Sequence, residues 1–363
     1  MKKVGILTHY DVVNNGAILQ MYCLYHWLLE HNCSPTILTY QKNFDFAPEE
    51  AKKYELKVKN LPFFLKKYFI QYSPRVFFSK VKKTKLIKNF SKKEFVFEPY
   101  TTVLDGAVIG SDEVFSLEVG CNQMMYGHNL NARTVLSYAP SFGQTSLERI
   151  KLYDCEDIIK DGLTSKVKFL SVRDQKSFEL CKELTNRSDI SIVCDPVILY
   201  NLDKVSVKHK KINHKYILLY SYFKNMNSKE EISAIKSFAK QKGLKIASIG
   251  EFHSWCDINI MCDPLKWTTY FKEAEMVITD TFHGAVLSIV NQTKGLYFAR
   301  NINSNKLTGL LKQFHLDEFL LKEVSFEELN RTSNLPYNKE KVLESVLTER
   351  KIGEEFLSKA LEL

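Results

Sequence analysis

The sequence predicts an α/β protein with parallel sheets, divided into two domains. Three observations carry this. Short apolar runs recur, each followed by a polar turn and then by a stretch with helical apolar spacing, the pattern of strands joined by crossover helices. At 363 residues the chain is longer than one ordinary core organises, so two domains are the natural division. The composition, 45% hydrophobic and 26% charged, is that of a globular protein. No apolar run approaches the roughly 18–20 residues needed to span a bilayer.

The elements follow in order. Val4–Thr8 reads as the first strand, and the apolar stretch there is too short for a secretion signal. A loop holding Asn14, Asn15 and Gly16 leads into a helix over Ala17–Leu29, and Thr36–Tyr40 is the second strand. A basic, aromatic insertion occupies about residues 45–98. Ala107–Asp112 then reads as a strand ending in a polar turn, followed by a strand at Val135–Ala139 and one helix over 146–160. Phe169–Val172 ends at Arg173-Asp174, a helix covers Gln175–Leu184, and Ile190–Cys194 closes at Asp195-Pro196. A lysine-rich polar stretch near 200–215 marks the domain boundary. The second series runs through Tyr216–Tyr220, a helix at 229–242, Lys245–Ile249, a short helix near 266–274, the strand Met276–Ile278 with its helix, and Gly295–Phe298. The expected domains are 1–205, 206–335, and a last segment, 336–363, whose helix packs back on the first domain.

Charge is uneven. Residues 51–93 hold thirteen Lys and one Arg against the single acid Glu55. That stretch carries +13 in a chain of net +9, leaving about −4 for the remainder. Tyr54, Phe63, Phe64, Tyr68, Phe69, Tyr72, Phe77, Phe78 and Phe90 lie among the charges. A helix with basic and aromatic faces suits an anionic membrane surface. The alternatives are a solvated insertion whose aromatics pack on the parent domain, and nucleic acid. Nucleic acid is the weakest, because the basic stretch lies outside the alternating core. The eight cysteines are scattered without a Cys-x-x-Cys pair, which argues against zinc and against a disulfide framework and points to a reducing cytoplasm. His26 and His31 give no metal face, so no metal site is expected.

The richest segment is Met276 to Arg300. An apolar strand runs into Thr279-Asp280-Thr281, then His283-Gly284, then the apolar helix Ala285–Val290. In a parallel sheet such a turn lies at the carboxyl edge, where ligands bind, and a helix start suits an anion. His283 is then either an acid–base group beside an anion site or a histidine that caps the helix or fills the core. Five turns are expected to converge on a cleft between the domains: His9–Gly16, Ser111–Asp112, Ser137–Gly143, Arg173–Asp174 and Asp280–Gly284. No Gly-x-Gly-x-x-Gly follows the first strand, and neither a Walker A loop nor a Gly-x-Ser-x-Gly elbow occurs. No dinucleotide cofactor is expected.

Taken in order, several blocks resemble the polysaccharide pyruvyl transferases. They are Gly5-Ile6-Leu7-Thr8 with Asn15-Gly16-Ala17-Ile18-Leu19-Gln20; Ile109-Gly110-Ser111-Asp112-Glu113-Val114; Ser137-Tyr138-Ala139-Pro140-Ser141-Phe142-Gly143; Ser171-Val172-Arg173-Asp174; Cys194-Asp195-Pro196; and Asp280-Thr281-Phe282-His283-Gly284 with Arg300 downstream. Together they extend over about residues 4–315. The resemblance implies a GT-B-like fold of two facing Rossmann-like domains. It also implies transfer of pyruvate from phosphoenolpyruvate, the co-substrate, onto two hydroxyls of a sugar as a cyclic ketal, with no other cofactor.

On this reading His283 and Asp112 are the catalytic candidates. Arg173, Gly284, Arg300 and Lys294 would hold the donor, and His9, Asn15, Gly16 and Ser111 the acceptor. Arg173 is equally an exposed arginine at a helix start, and Asp112 equally a helix cap. The chain departs from those relatives that carry an arginine two residues before the histidine: Thr281 stands there, so a donor cation must come from Arg300, Lys294, Lys306 or the basic insertion. The implied setting is capsular, exopolysaccharide or cell-wall synthesis on a lipid-linked sugar. The protein would be cytoplasmic, peripheral at the inner face of the plasma membrane through residues 51–93. The competing readings are a GT-B glycosyltransferase using a nucleotide-sugar donor, and a non-catalytic scaffold at the membrane surface.

Overall fold

A computed structural model describes residues 1–51, 74–120, 122–205, 207–300 and 304–363. The chain divides into two compact units. One gathers the N-terminal residues through 51 with Ser91–Asn201 and Thr348–Leu363; the other holds Leu202–Leu347 with residues 74–90.

The first unit is built on β1 (Lys2–Leu7), β2 (Cys33–Thr39), β3 (Phe97–Pro99), β4 (Leu104–Ile109) and β5 (Ala132–Ser137). Their order is β3-β2-β1-β4-β5, and every neighbouring pair is parallel. A parallel pair, β6 (Ser171–Val172) and β7 (Ser191–Ile192), joins this layer through a bridge between Leu136 and Phe169. Val4, Ile6, Leu7, Ala107, Val108 and Ile109 are all buried, whichever face of the strand they occupy. A parallel sheet covered on both sides requires such uninterrupted apolar runs. The helix Asn15–Glu30 is buried along most of its length. The closing residues dock here as well: Lys2 Nζ donates to the Leu361 and Glu362 carbonyls at 2.5 and 2.9 Å.

The second unit carries β8 (Tyr216–Tyr220), β9 (Lys245–Ile249), β10 (Ile258–Ile260), β11 (Met276–Thr279), β12 (Gly295–Phe298) and β13 (Leu320–Leu321). Their order is β10-β9-β8-β11-β12-β13, again parallel throughout. Counted from its own first strand, each sheet begins in the order three-two-one-four-five, that of the doubly wound folds. The order reverses between β1 and β4 in the first unit and between β8 and β11 in the second. Ligands of such sheets bind outside the carboxyl ends of the strands at that reversal.

Two expectations are corrected. The insertion read as part of the first domain contains, in its described portion, a 21-residue helix, Pro74–Glu94. Residues 74–90 of that helix belong with the second unit. The reason is local: Lys83 Nζ lies 2.6 Å from Glu251 Oε1, and Lys80 stands 4.8 Å above the Phe223 ring. Residues 52–73, which include Tyr54, Phe63, Phe64, Tyr68, Phe69 and Tyr72, lie outside the described residues. The single helix expected over 146–160 is two, Leu147–Leu152 and Glu156–Asp161, because Asp154 takes a left-handed φ of 51° that no continuous helix accommodates. Among the described residues no helix is long and apolar enough to cross a membrane. Among the same residues no group of three or more His, Cys, Asp or Glu is placed to hold a metal ion.

Candidate active site

In the second unit the reversal falls between Tyr220 and Thr279. Thr279 Oγ1 donates to the Tyr220 carbonyl at 2.6 Å and accepts from the Thr281 N–H at 3.1 Å. These bonds fold the chain sharply at the end of β11. Thr281 then caps the helix Phe282–Val290, its Oγ1 accepting from the Gly284 N–H at 3.0 Å. Only glycine fits at 284, since a Cβ there would fall 2.1 Å from Thr279 Oγ1. His283 sits in the first helical turn, buried to 7% exposure, at the positive end of the helix dipole.

Around this turn runs a polar chain. Asp280 accepts from Arg300 Nε and from Asn225 Nδ2 at 2.8 Å. Arg300 Nη2 donates to Glu231 Oε1 at 2.8 Å, and Glu231 closes the capping box of the helix Lys229–Lys242 with Ser228. Partial burial works against the Arg300 charge, but the bonds to Asp280 and Glu231 outweigh it and raise its pKa. The register pairs Thr279 with Tyr220, so Ser221 follows directly at the same edge. Its buried hydroxyl has no hydrogen-bond partner among the described residues. His253 is buried beside it, Nε2 lying 3.3 Å from the Ser221 carbonyl. Burial lowers the His253 pKa, against the pull of that carbonyl and of Glu251 and Asp280.

The first unit's reversal brings together Thr8 and His9 after β1 and Gly110 to Glu113 after β4. Thr8 Oγ1 donates to the Ser111 carbonyl at 3.0 Å. His9 Nε2 lies 3.3 Å from the Glu113 carbonyl, and its Nδ1 lies 3.5 Å from the Tyr40 hydroxyl. Burial lowers the His9 pKa, with Asp112 pulling the other way. Asp112 stands at φ 76°, a left-handed conformation that aspartate tolerates better than most residues. Its carbonyl accepts from the Ser141 N–H at 2.8 Å. Asn14 caps the first helix, accepting from the Gly16 and Ala17 N–H groups. Asn15 beside it is 2% exposed, and neither end of its amide has a partner among the described residues.

The structure sorts the residues picked from sequence. His9, Asn15, Gly16, Ser111, Asp112 and Arg173 gather at the carboxyl edge of the first unit, and His283, Gly284 and Arg300 at that of the second. Lys294 does not join them: it precedes β12, so it lies at the amino edge, where its ammonium donates to the Ser333 and Leu335 carbonyls at 2.7 and 2.6 Å. Ser111 is fully buried and its hydroxyl donates to the Ala139 carbonyl at 2.8 Å, so it braces the turn instead of facing an acceptor. Arg173 is likewise no exposed clamp. Its Nη1 lies 3.0 Å from Asp195 Oδ2 and its Nη2 3.8 Å from Asp112 Oδ1. Burial opposes that charge, but the surrounding carboxylates, Asp195 first, raise its pKa. Ser221, Asn225, Glu231 and His253 go unnoticed in the sequence. Ser221 has a readable sign there, as the first polar residue after the apolar run Tyr216–Tyr220, and Glu231 has one only as a helix-capping residue.

Two Rossmann-like units with polar carboxyl edges define the fold class of the GT-B glycosyltransferases and epimerases. Solved structures agree on the fold. S. aureus MnaA with UDP is similar over 99% of this chain and 95% of its own, at 9% identity and TM-score 0.52. Arabidopsis thaliana UGT89C1 with UDP is similar over 99% of both chains, at 11% identity and TM-score 0.52. A UDP-N-acetylglucosamine 2-epimerase is similar over 99% of this chain and 96% of its own, at 9% identity and TM-score 0.52. No curated protein matches the chain. The family described as polysaccharide pyruvyl transferase matches residues 14–301, and this chain belongs to that family, a family of transferases.

Proposed function

We propose that the protein moves pyruvate from phosphoenolpyruvate onto two hydroxyls of one sugar during synthesis of a cell-surface polysaccharide. The single observation that carries this reading is His283. In a chain of this family, a buried imidazole occupies the first turn of a helix at the second unit's strand-order reversal. The donor carries a phosphate and a carboxylate, and a helix N-terminus with a nearby guanidinium suits both. The Phe282–Val290 helix and Arg300 supply that pair.

The chemistry asks for proton transfer at two stages. Protonation of the donor's methylene carbon makes an oxocarbenium-like centre at the adjacent carbon. One sugar hydroxyl attacks it and gives up its proton. Phosphate then leaves, and the second hydroxyl closes the ketal, its proton departing with the phosphate. His283 is assigned to the proton transfers, Gly284 and Arg300 to the donor. The polar edge of the first unit, with His9, Asn15, Gly16 and Asp112, is assigned to the acceptor. The acceptor is a sugar on a lipid carrier, and the protein works as a cytoplasmic, peripheral enzyme at the inner face of the plasma membrane. The reaction needs no cofactor beyond its co-substrate.

The test is phosphate release from phosphoenolpyruvate with galactose-, glucose-, mannose- and N-acetylhexosamine-terminated acceptors, free and lipid-linked. The expected result is acceptor-dependent release, with the acceptor gaining the mass of pyruvate less water. His283→Ala should keep the wild-type circular dichroism spectrum and lose about 10²–10⁴-fold in turnover. Full activity in that variant would remove His283 from the mechanism. Silence across the panel with tight nucleotide-sugar binding would replace the pyruvyl transfer with glycosyl transfer.

A further inference from the structure

The helix Pro74–Glu94 is two-sided. Its inner side holds Val76, Ile87 and Phe90, all buried, with Lys80 over Phe223 and Lys83 paired to Glu251. At 3.6 residues per turn, the exposed residues fall on one stripe of roughly 140° opposite to it. That stripe carries Arg75, Lys82, Lys85, Lys88, Lys92 and Lys93, all exposed. Phe78 and Val81 stand among them at 68% and 51% exposure. The helix has one acid, Glu94; it lies 3.9 Å from His26 on the inner side and pairs with Lys93 at 2.9 Å, so five of the six cations of the stripe have no acid of the helix beside them. Single exposed apolar residues are ordinary. A bulky phenylalanine and a valine set among six cations, of which only Lys93 meets an acid of the helix, are not, since a solvated face gains nothing from either.

The position of the helix adds to this. Lys83 meets Glu251, two residues beyond β9, and Lys80 meets Phe223, three residues beyond β8. The helix therefore lies along the carboxyl edge of the second unit's sheet, the edge that holds His283, Asp280 and Arg300.

We propose that this outer stripe seats the protein on an anionic lipid bilayer, with Phe78 and Val81 entering the headgroup layer and the cations meeting lipid phosphates. Seated in this way, the second unit turns the edge that carries His283 toward lipid-borne sugar; this second step rests on the function proposed above. Nucleic acid shares the phosphates but offers no apolar layer for Phe78 and Val81 to enter.

The measurement is co-sedimentation of the full chain with phosphatidylcholine vesicles and with vesicles containing 30% phosphatidylglycerol, at low and high salt. The stripe variant is Lys82→Gln/Lys85→Gln/Lys88→Gln. The control is Lys236→Gln/Lys240→Gln/Lys245→Gln, which removes equal charge elsewhere on the second unit. The expected result is salt-sensitive binding to the anionic vesicles only, weakened on the order of 100-fold in the stripe variant and unchanged in the control. Phe78→Ser should weaken the part of the binding that survives high salt. Wild-type protein that ignores anionic vesicles, binds both vesicle types alike, or binds equally after the stripe is neutralised would overturn the proposal. Capture of an oligonucleotide through the same lysines, without vesicle binding, would overturn it in favour of nucleic acid. Vesicle binding is read without substrate, so it stands apart from the reaction. If binding holds, the stripe variant should lose activity on a vesicle-borne acceptor and keep it on a soluble one.

Discussion

The carboxyl edges of the two units use the same device at different depths. In the first, Arg173 bridges Asp195, whose side chain is 0% exposed, and Asp112, at 17%. In the second, Arg300 bridges Asp280, at 0%, and Glu231, at 18%. One arginine thus joins a fully buried aspartate to a partly exposed carboxylate in each. The difference lies in the arginine itself: 3% of the Arg173 side chain is exposed against 28% of Arg300. A buried arginine between two carboxylates has no open face for a substrate anion. One at the rim can exchange a carboxylate for a phosphate at modest cost, because its charge stays hydrated. Sequence gives both arginines the same donor-binding role, and the structure separates a deeply buried arginine from a partly exposed one.

The largest effect expected from this contrast is on stability. Arg173→Met removes one partner of a buried ion pair and leaves Asp195 charged in the core, which costs about 3–5 kcal/mol. Adding Asp195→Asn should restore part of the loss, because the stranded charge accounts for much of it. Thermal unfolding of the two variants reads this directly. If Arg173→Met unfolds like the wild type and instead loses affinity for phosphoenolpyruvate, the contrast collapses and Arg173 returns to the donor.

A smaller effect belongs to Arg300. Arg300→Gln should cost less stability than Arg173→Met, since Asp280 is buried but keeps its bond from Asn225 and the arginine itself is partly exposed. It should weaken phosphoenolpyruvate binding by roughly 10–100-fold, the range for losing one charged hydrogen bond. Titration calorimetry with the donor alone measures it. Unchanged donor affinity would show that the Asp280–Arg300–Glu231 bridge is structural at the rim as well.

Why some of this is legible in the sequence and some is not follows from what each residue depends on. The helix Lys229–Lys242 and the strands β8, β9 and β12 can be bounded from local signals alone. Ser228 with Glu231 opens the helix as a capping box, and Gly243 closes it in the left-handed region. By contrast β10 is three residues, Ile258-Asn259-Ile260, and β13 is two. Neither is long enough to set a period, and each exists only because a longer neighbour offers it a ladder. His283 stands out because strand, cap and helix follow one another within a few residues. Asn225, Glu231 and His253 do not, because separate turns meet only once the strands take their order. Lys294 is misread for a simpler reason. A residue just before a strand lies at the opposite edge from one just after it, and Lys294 precedes Gly295.

The smallest effect concerns protons, and it sets the two units against each other once more. Burial lowers the pKa of His9 and His26 in the first unit and of His253 in the second. A lowered pKa in the folded state means that the unfolded chain takes up the proton first. The stability these groups contribute is therefore complete above the ordinary histidine value, about 6.5. It is lost as the pH falls from there toward the folded value, at no more than about 1.4 kcal/mol per pH unit for each group. Unfolding temperatures recorded from pH 7.5 to pH 5 should fall with acid. His253→Gln, an amide that can still donate to the Ser221 carbonyl, should make that fall shallower. His9→Gln should do the same, because burial lowers the pKa of His9 as well. Slopes that ignore both substitutions would mean that neither histidine resists its proton in the folded protein. The two edges would then differ in how deeply they bury an arginine and in nothing that acid can detect.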